Sequence, residues 1–295
     1  MIQVDAKELK TVLSRSIRMS KKLRIGALIS GGGTNLQAII DSCESGDLDA
    51  QMVFVGSDNP MAGGLERAKK QKIPVFVVDY KSIIQSCGKA TRELSFPEDF
   101  DLEEAISKQS VFADDAEAQK MKFFLITRAI AEAKLLQKMN AHDFDLVVLA
   151  GFMRNLTPYF IDRVNADRSR PRIMNIHPAL LPAFPGVDGY GDTWRYGCKI
   201  GGCTVHFIDY GEDTGPIIGQ RAFQIEPNDT LNSIREKGLK LEWELYAECL
   251  QLYAQDRIRT VNVNFELKGG ERVSRTVVKL VDSKSETWSS GPGQR

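Results

Sequence analysis

The chain has 295 residues, with 39 Lys plus Arg against 39 Asp plus Glu, so its formal net charge is zero. That balance argues against a general polyanion binder, whose footprint is a basic excess, and leaves room only for a local basic patch. With 42% hydrophobic residues the chain can bury a sizeable core as one large domain or two small ones, which excludes disorder throughout.

Cysteines stand at positions 43, 87, 198, 203 and 249. The odd count and the absence of C-x-x-C argue against a disulfide framework or a thiolate zinc site, and reduced thiols suit a cytosolic protein. No apolar run reaches the roughly 18 residues of a membrane span. Residues 1–22 mix acids with bases and hold no apolar stretch of the secretory kind, so they read as an N-terminal extension.

Taken in order, Leu23 to Ile29 is the first clear strand. It runs into Ser30-Gly31-Gly32-Gly33-Thr34-Asn35 and then a helix with Leu36, Ile39 and Ile40 on one face. Ala50 to Gly56 is a second strand, Gly64 to Gln71 a helix and Pro74 to Val78 a third strand. That alternation predicts a parallel sheet covered by helices on both faces. Lys81 to Lys122 is charged and contains Pro97, and reads as an inserted, partly helical, solvated surface elaboration. Met121 to Met139 is a long helix. Phe144 to Ala150 is a near-continuous apolar strand of the kind buried on both faces.

Ile173 to Ile176 is a short strand ending in His177-Pro178. A helix-poor loop follows Pro182, then a strand at Gly202 to Ile208 and a long helix from Asp229 to Tyr253. Thr260 to Leu267, Gly269-Gly270 and Val273 to Val281 complete a hairpin pattern. The polar tail from Ser283 reads as disordered. No internal repeat is present.

Three places carry candidate chemistry. Glycines 31–33 between strand and helix let a backbone approach a ligand closely, and the helix N-terminus favours an anion such as phosphate. The run matches neither G-x-G-x-x-G nor the Walker pattern, and a tight turn with Thr34 as N-cap explains it equally well. Asn175 and His177 fall on the same side of their strand, at the edge where open parallel sheets bind ligands. An amide donor beside an imidazole suits oxyanion stabilisation and proton handling. Asp213, in the loop Gly211-Glu212-Asp213-Thr214-Gly215, either orients His177 or caps its own turn. His206 lies inside a strand and reads as structural. No spacing suggests a metal site.

Four segments in this order, ISGGGTNLQAII at 29–40, VVLAGFMRNLTP at 147–158, NIHPALLPAFPG at 175–186 and GCTVHFIDYGEDTGPII at 202–218, closely resemble the folate-dependent phosphoribosylglycinamide formyltransferases. The resemblance covers about residues 22–282, apart from the insertion. It implies a Rossmann-like formyltransferase domain over 23–282, interrupted at about 82–122, with a disordered tail at 283–295. It also implies transfer of a formyl group from 10-formyltetrahydrofolate, as co-substrate, to the amine of glycinamide ribonucleotide in de novo purine synthesis.

By that resemblance Asn175, His177 and Asp213 are catalytic. Asn175 and protonated His177 stabilise a tetrahedral oxyanion, and Asp213 raises the His177 pKa and helps move the amine proton. Gly33, Thr34, Asn35 and Glu242 hold the ribonucleotide, and Met153, Arg154, Asn155 and Leu156 receive the pterin. No metal, nucleic acid or membrane is implied; the protein is expected to be cytoplasmic, as a monomer or homodimer. Three departures stand out. Asp188 lies where a His usually follows the Pro-Gly pair, the basic residue near the folate cannot be aligned across the insertion, and Trp243 follows Glu242 in place of a usual His. A formyltetrahydrofolate hydrolase and a non-catalytic folate- or nucleotide-binding homologue are the alternatives.

Overall fold

The structure is a computed structural model that describes residues 22–89, 96–112, 118–167 and 169–281. The expected extension at 1–22 (apart from Lys22) and tail at 283–295 lie outside these residues. In chain order the elements are β1 (Leu23–Ile29), α1 (Thr34–Ser45), β2 (Ala50–Ser57), α2 (Gly64–Lys70), β3 (Val75–Val77), α3 (Tyr80–Lys89), α4 (Leu102–Lys108) and α5 (Ala118–Met139). There follow β4 (Leu146–Leu149), α6 (Pro158–Val164), β5 (Ile173–His177), α7 (Gly189–Arg195), β6 (Ile200–Phe207), β7 (Ile217–Gln224), α8 (Leu231–Ala254), β8 (Ile258–Glu266) and β9 (Arg272–Leu280).

Seven strands form one sheet in the order β3-β2-β1-β4-β5-β6-β7. The pairs from β3 through β5 are parallel, and β5–β6 and β6–β7 are antiparallel. The chain builds outward from β1 toward β3, then returns to β4 on the other side. The crevice between the carboxyl ends of β1 and β4 is therefore a topological switch point, where such sheets bind ligands. The expected α/β architecture and the C-terminal hairpin, here β8–β9, are both present.

β4 shows why its sequence is apolar throughout. Leu146 and Val148 face one core with α1, α2 and α8, while Val147 and Leu149 face the other with α3 to α6. Successive strand residues point to opposite faces, so a strand covered on both sides has no polar position. Gly26 in β1 is required by close approach, since a Cβ there would lie 2.0 Å from the Phe54 ring.

Three elements differ from the expectation. The stretch after Gly186 is not helix-poor, because Gly189–Arg195 forms α7. β7 was not expected; it is an edge strand whose residues are mostly exposed, so it lacks the apolar signature. The charged segment is more than a solvated elaboration, since Phe100 and Ala105 are buried in the second core. Asp99 there accepts hydrogen bonds from Arg163 and from Tyr159 Oη.

Candidate active site

A cleft of about 410 Å³ opens at the switch point, in the size range of small-molecule sites. Its wall includes Asn35 from α1, residues 151–156 after β4, Asn175 and His177 on β5, Asp213 from the β6–β7 loop, and Arg235, Leu239 and Glu242 on α8. Most of the residues singled out from sequence thus meet in one place. Gly33 and Thr34 do not line this cleft.

His177 is buried. Its Nδ1 faces Asp213 Oδ2 at 3.1 Å, and its Nε2 donates to Phe184 O at 2.8 Å. Burial pushes the His177 pKa below its ordinary value, and the Asp213 charge and the Phe184 carbonyl offset only part of that. The charge of Asp213 acts in the expected direction, but desolvation outweighs it. Burial also pushes Asp213 upward. There the His206 hydrogen bond, the His177 charge and the Gly186 N–H at 2.8 Å win, and hold the carboxyl below its usual range.

His206 is the residue that sequence reasoning undervalued. Register sets it opposite Asn175, and their nitrogens Nε2 and Nδ2 lie 3.2 Å apart. Its Nδ1 donates to Phe207 O at 2.9 Å, which fixes the ring with Nε2 facing the Asn175 amide. His206 also stands 3.5 Å from Asp213 Oδ1, so it ties Asn175 to Asp213. The signal lay in cross-strand pairing, which local sequence does not reveal.

At the other end of the cleft, Glu242 is buried on α8. Tyr190 Oη donates to Oε1 at 2.6 Å and Asn35 Nδ2 to Oε2 at 2.7 Å. Burial raises the Glu242 pKa, against the pull of these two bonds. Tyr190 lies two residues beyond Asp188. Asp188 instead receives Arg195 at 2.9 Å and Arg235 at 3.1 Å.

The glycine loop is capped by Gly33, not by Thr34, which is the first helical residue. Gly33 has φ 71°, where glycine alone sits without strain, and Gln37 N donates to its carbonyl at 2.9 Å. A Cβ on Gly31 or Gly32 would meet nothing within 4 Å, and neither has a positive φ. Neither packing nor backbone conformation demands glycine there, so the space fits a ligand. No acidic side chain occupies the first turn of α1, and Arg67 reaches over to donate to Gly32 O at 2.8 Å. The Asn35 Oδ1 atom, buried at the edge of this loop, has no hydrogen-bond partner within the protein.

The segment at 151–156 is tied at both ends. Met153 N donates to Ser30 Oγ at 2.8 Å, Ser30 N donates to Gly151 O at 3.0 Å, and Thr157 N donates to Glu132 Oε1 at 2.9 Å. Leu156 is buried and Met153 is exposed, so they form one inner and one outer wall. Asn155 Nδ2 donates to Glu212 at 3.2 Å. Arg154 turns toward buried Asp58 and lies over the Tyr80 ring, which Arg128 also covers. Asp58, Arg128 and Glu132 went unnoticed in the sequence. For Glu132 a signal existed: Leu125, Ala129, Glu132 and Leu136 fall on one helical stripe, so its carboxyl is buried with apolar neighbours. Burial, opposed by the Thr157 bonds, lifts its pKa to about 7. Among the described residues no cluster of three or more His, Cys, Asp or Glu is placed to hold a metal ion.

Fold and site together define an α/β enzyme of the sheet-edge type. The chain belongs to the formyl transferase family, which its sequence matches over residues 23–250. It is 30% identical over 228 residues to phosphoribosylglycinamide formyltransferase of Bacillus subtilis (strain 168), covering 77% of this chain and 93% of that one. It is 33% identical over 261 residues to the trifunctional purine biosynthetic protein adenosine-3 of Chironomus tentans, covering 87% of this chain and 16% of the larger protein. The crystal structure of glycinamide ribonucleotide transformylase 1 from Symbiobacterium toebii matches with a TM-score of 0.63 and 32% identity, over 88% of this chain and 94% of that one.

Proposed function

We infer that the protein transfers the formyl group of 10-formyltetrahydrofolate to the amine of glycinamide ribonucleotide, a reading supported by relatives named as a phosphoribosylglycinamide formyltransferase and a purine biosynthetic protein. The products are tetrahydrofolate and the N-formyl ribonucleotide. One observation carries the reading: a preorganised buried carboxylate, Glu242, lines the same cleft as an Asn–His–Asp trio, together with Asn35, which follows the open glycine loop.

The roles follow from the chemistry. The Gly31–Asn35 loop takes the phosphate, with Arg67 as the nearby cation. Glu242 accepts hydrogen bonds from the ribonucleotide. The apolar wall of Leu149, Phe152 and Leu156 and the backbone of residues 153–156 receive the pterin. The amine nitrogen attacks the formyl carbon, and the carbonyl oxygen gains the negative charge. The Asn175 amide and the His177 Nε2 N–H, which exchanges Phe184 O for the substrate, stabilise that oxygen, a contribution of about 3–4 kcal/mol for each good donor. Asp213, ionised beside His177, accepts the proton that the attacking amine releases. That proton passes to the nitrogen of the folate, which leaves with the electron pair of its bond to the formyl carbon as the oxyanion re-forms the carbonyl.

The same reading takes 23–282 as a single catalytic domain with its charged segment at about 82–122, supported by one continuous sheet from β3 to β7. It assigns small-molecule partners and a cytoplasmic location. No helix among the described residues is long and apolar enough to cross a membrane.

The test is absorbance-monitored folate turnover by purified protein, with each substrate omitted in turn. Turnover only with both substrates is expected. Turnover without the ribonucleotide identifies a hydrolase, and binding without turnover refutes the catalytic assignment.

A further inference from the structure

The loop that carries Asp213 starts from the wrong level. β6 runs against β5 and ends beside its beginning, where Ile208 N donates to Ile173 O at 3.0 Å. His177 lies four residues further along β5, about 13 Å at the usual strand rise. Residues 208–216 contain no helix or strand, yet they return along the sheet edge and bring Asp213 to His177. Asp213 itself has φ 54°, a conformation uncommon for non-glycine residues that Asp tolerates better than most. Asp209 Oδ1 accepts from Gly211 N and Thr214 Oγ1, which fixes the shape of the loop but not its placement.

The charged segment supplies placement. Lys108, at the end of α4, donates to Asp162 Oδ2 on α6 at 2.8 Å. The same Asp162 accepts a short hydrogen bond from Tyr210 Oη. Two residues past Lys108, Ser110 N donates to Tyr210 O at 2.9 Å. The contact is close, since a Cβ on Gly211 would stand 2.9 Å from Ser110 Oγ. The segment has its own footing in the buried Phe100 and Ala105.

We propose that residues 96–112 brace the catalytic loop, with Lys108 and Tyr210 as positioning residues that hold Asp213 against His177 through Asp162 and Ser110. The proposal rests on the formyl-transfer reading for its kinetic consequence, though not for its mechanics. The ribonucleotide end of the cleft, at Asn35 and Glu242, lies on other elements. Loosening the brace therefore acts on turnover and not on ribonucleotide affinity.

The experiment uses the full chain with Lys108→Met, Tyr210→Phe and the conservative Lys108→Arg. Displacements near 1 Å at a reacting centre can cost about 100-fold, so a partial loosening is expected to lower kcat by about 5- to 30-fold. The KM for the ribonucleotide should stay within about twofold, as measured by uniform-binding analysis. Backbone amides of 209–214 should exchange with solvent faster, and Lys108→Arg should restore both readouts. In an Asp213→Asn background the two loosening variants should add nothing, because they act through that carboxylate. Unchanged exchange and kcat, or effects fully additive with Asp213→Asn, would overturn the brace. If Lys108→Met fails to fold, Tyr210→Phe, which keeps the Lys108–Asp162 pair, decides. If the wild type transfers no formyl group, the functional reading falls while the exchange rates still decide the brace.

Discussion

Replacing Asp213 by Asn tests the trio with little change of shape. The carboxylate receives Gly186 N–H at Oδ2 and faces His177 Nδ1 from the same oxygen, while Oδ1 faces His206. An Asn can keep its oxygen at the Oδ2 position, so the Gly186 bond survives and the amide NH2 faces His206. The fold should therefore hold, and what is lost is charge. A hydrogen bond to a charged group contributes about 1.5–3 kcal/mol against about 0.5–1.5 for a neutral pair. The ground-state loss is then about 1–1.5 kcal/mol, and the amine proton also loses its acceptor. Together these give a fall in kcat/KM of about 10- to 100-fold, or about 1.4–2.7 kcal/mol. Asp213 is the largest influence holding the His177 pKa up, so its removal lowers that pKa further. The limb of the pH–rate profile that His177 governs must move to lower pH. The assay is steady-state turnover across pH 5.5–9 with both substrates saturating in turn. A variant within twofold of wild type, with an unmoved profile, would refute the reasoning.

Gly32→Ala separates ligand approach from folding: with no atom near the added methyl, stability should shift by no more than about 0.5 kcal/mol while the ribonucleotide KM rises about tenfold, read by thermal melting and kinetics. Glu242→Gln should raise the ribonucleotide KM about tenfold and leave the folate KM unchanged; equal changes in both would count against the assignment. Glu132→Gln bears on stability and pH. Its folded pKa of about 7 lies above the unfolded carboxyl value, so the protonated form stabilises the fold below about pH 4.5 and that contribution is lost as pH rises through 7. The wild-type melting temperature should fall across that window by more than the variant's, and parallel curves would refute the buried-carboxyl account.

Much of this was legible because the signals were local. The apolar run in β4, the glycines after β1 and the period-2 pattern of β8–β9 each announce their element within a few residues. Of the trio, Asn175 and His177 stood out because they share a strand face, whereas the Asp213 loop read as readily as a turn and Asp213 joined them only through the family resemblance. What sequence missed depends on partners far along the chain. His206 acquires its role from register with Asn175, and Tyr190 from the approach of α7 to α8. α7 itself was hidden by two glycines in seven residues, a composition that disfavours helix. Asp58 and Arg128 look like any solvated charges until tertiary packing buries one and stacks the other. The net direction of the His177 pKa was also invisible, because it depends on how deeply the imidazole is buried.

Ser30 holds the loop after β4 twice, once through its backbone N–H to Gly151 and once through Oγ to Met153. The turn leaving β1 and the turn leaving β4 therefore share a single fastening, and neither can lengthen or shorten without dragging its neighbour. Those two turns frame the halves of the cleft, so their lengths are locked as a pair. The long connection from β3 to β4 starts beyond that fastening, and it is there that the chain carries its additional helices. The architecture thus sorts its loops into those that must keep their length and those that are free to grow.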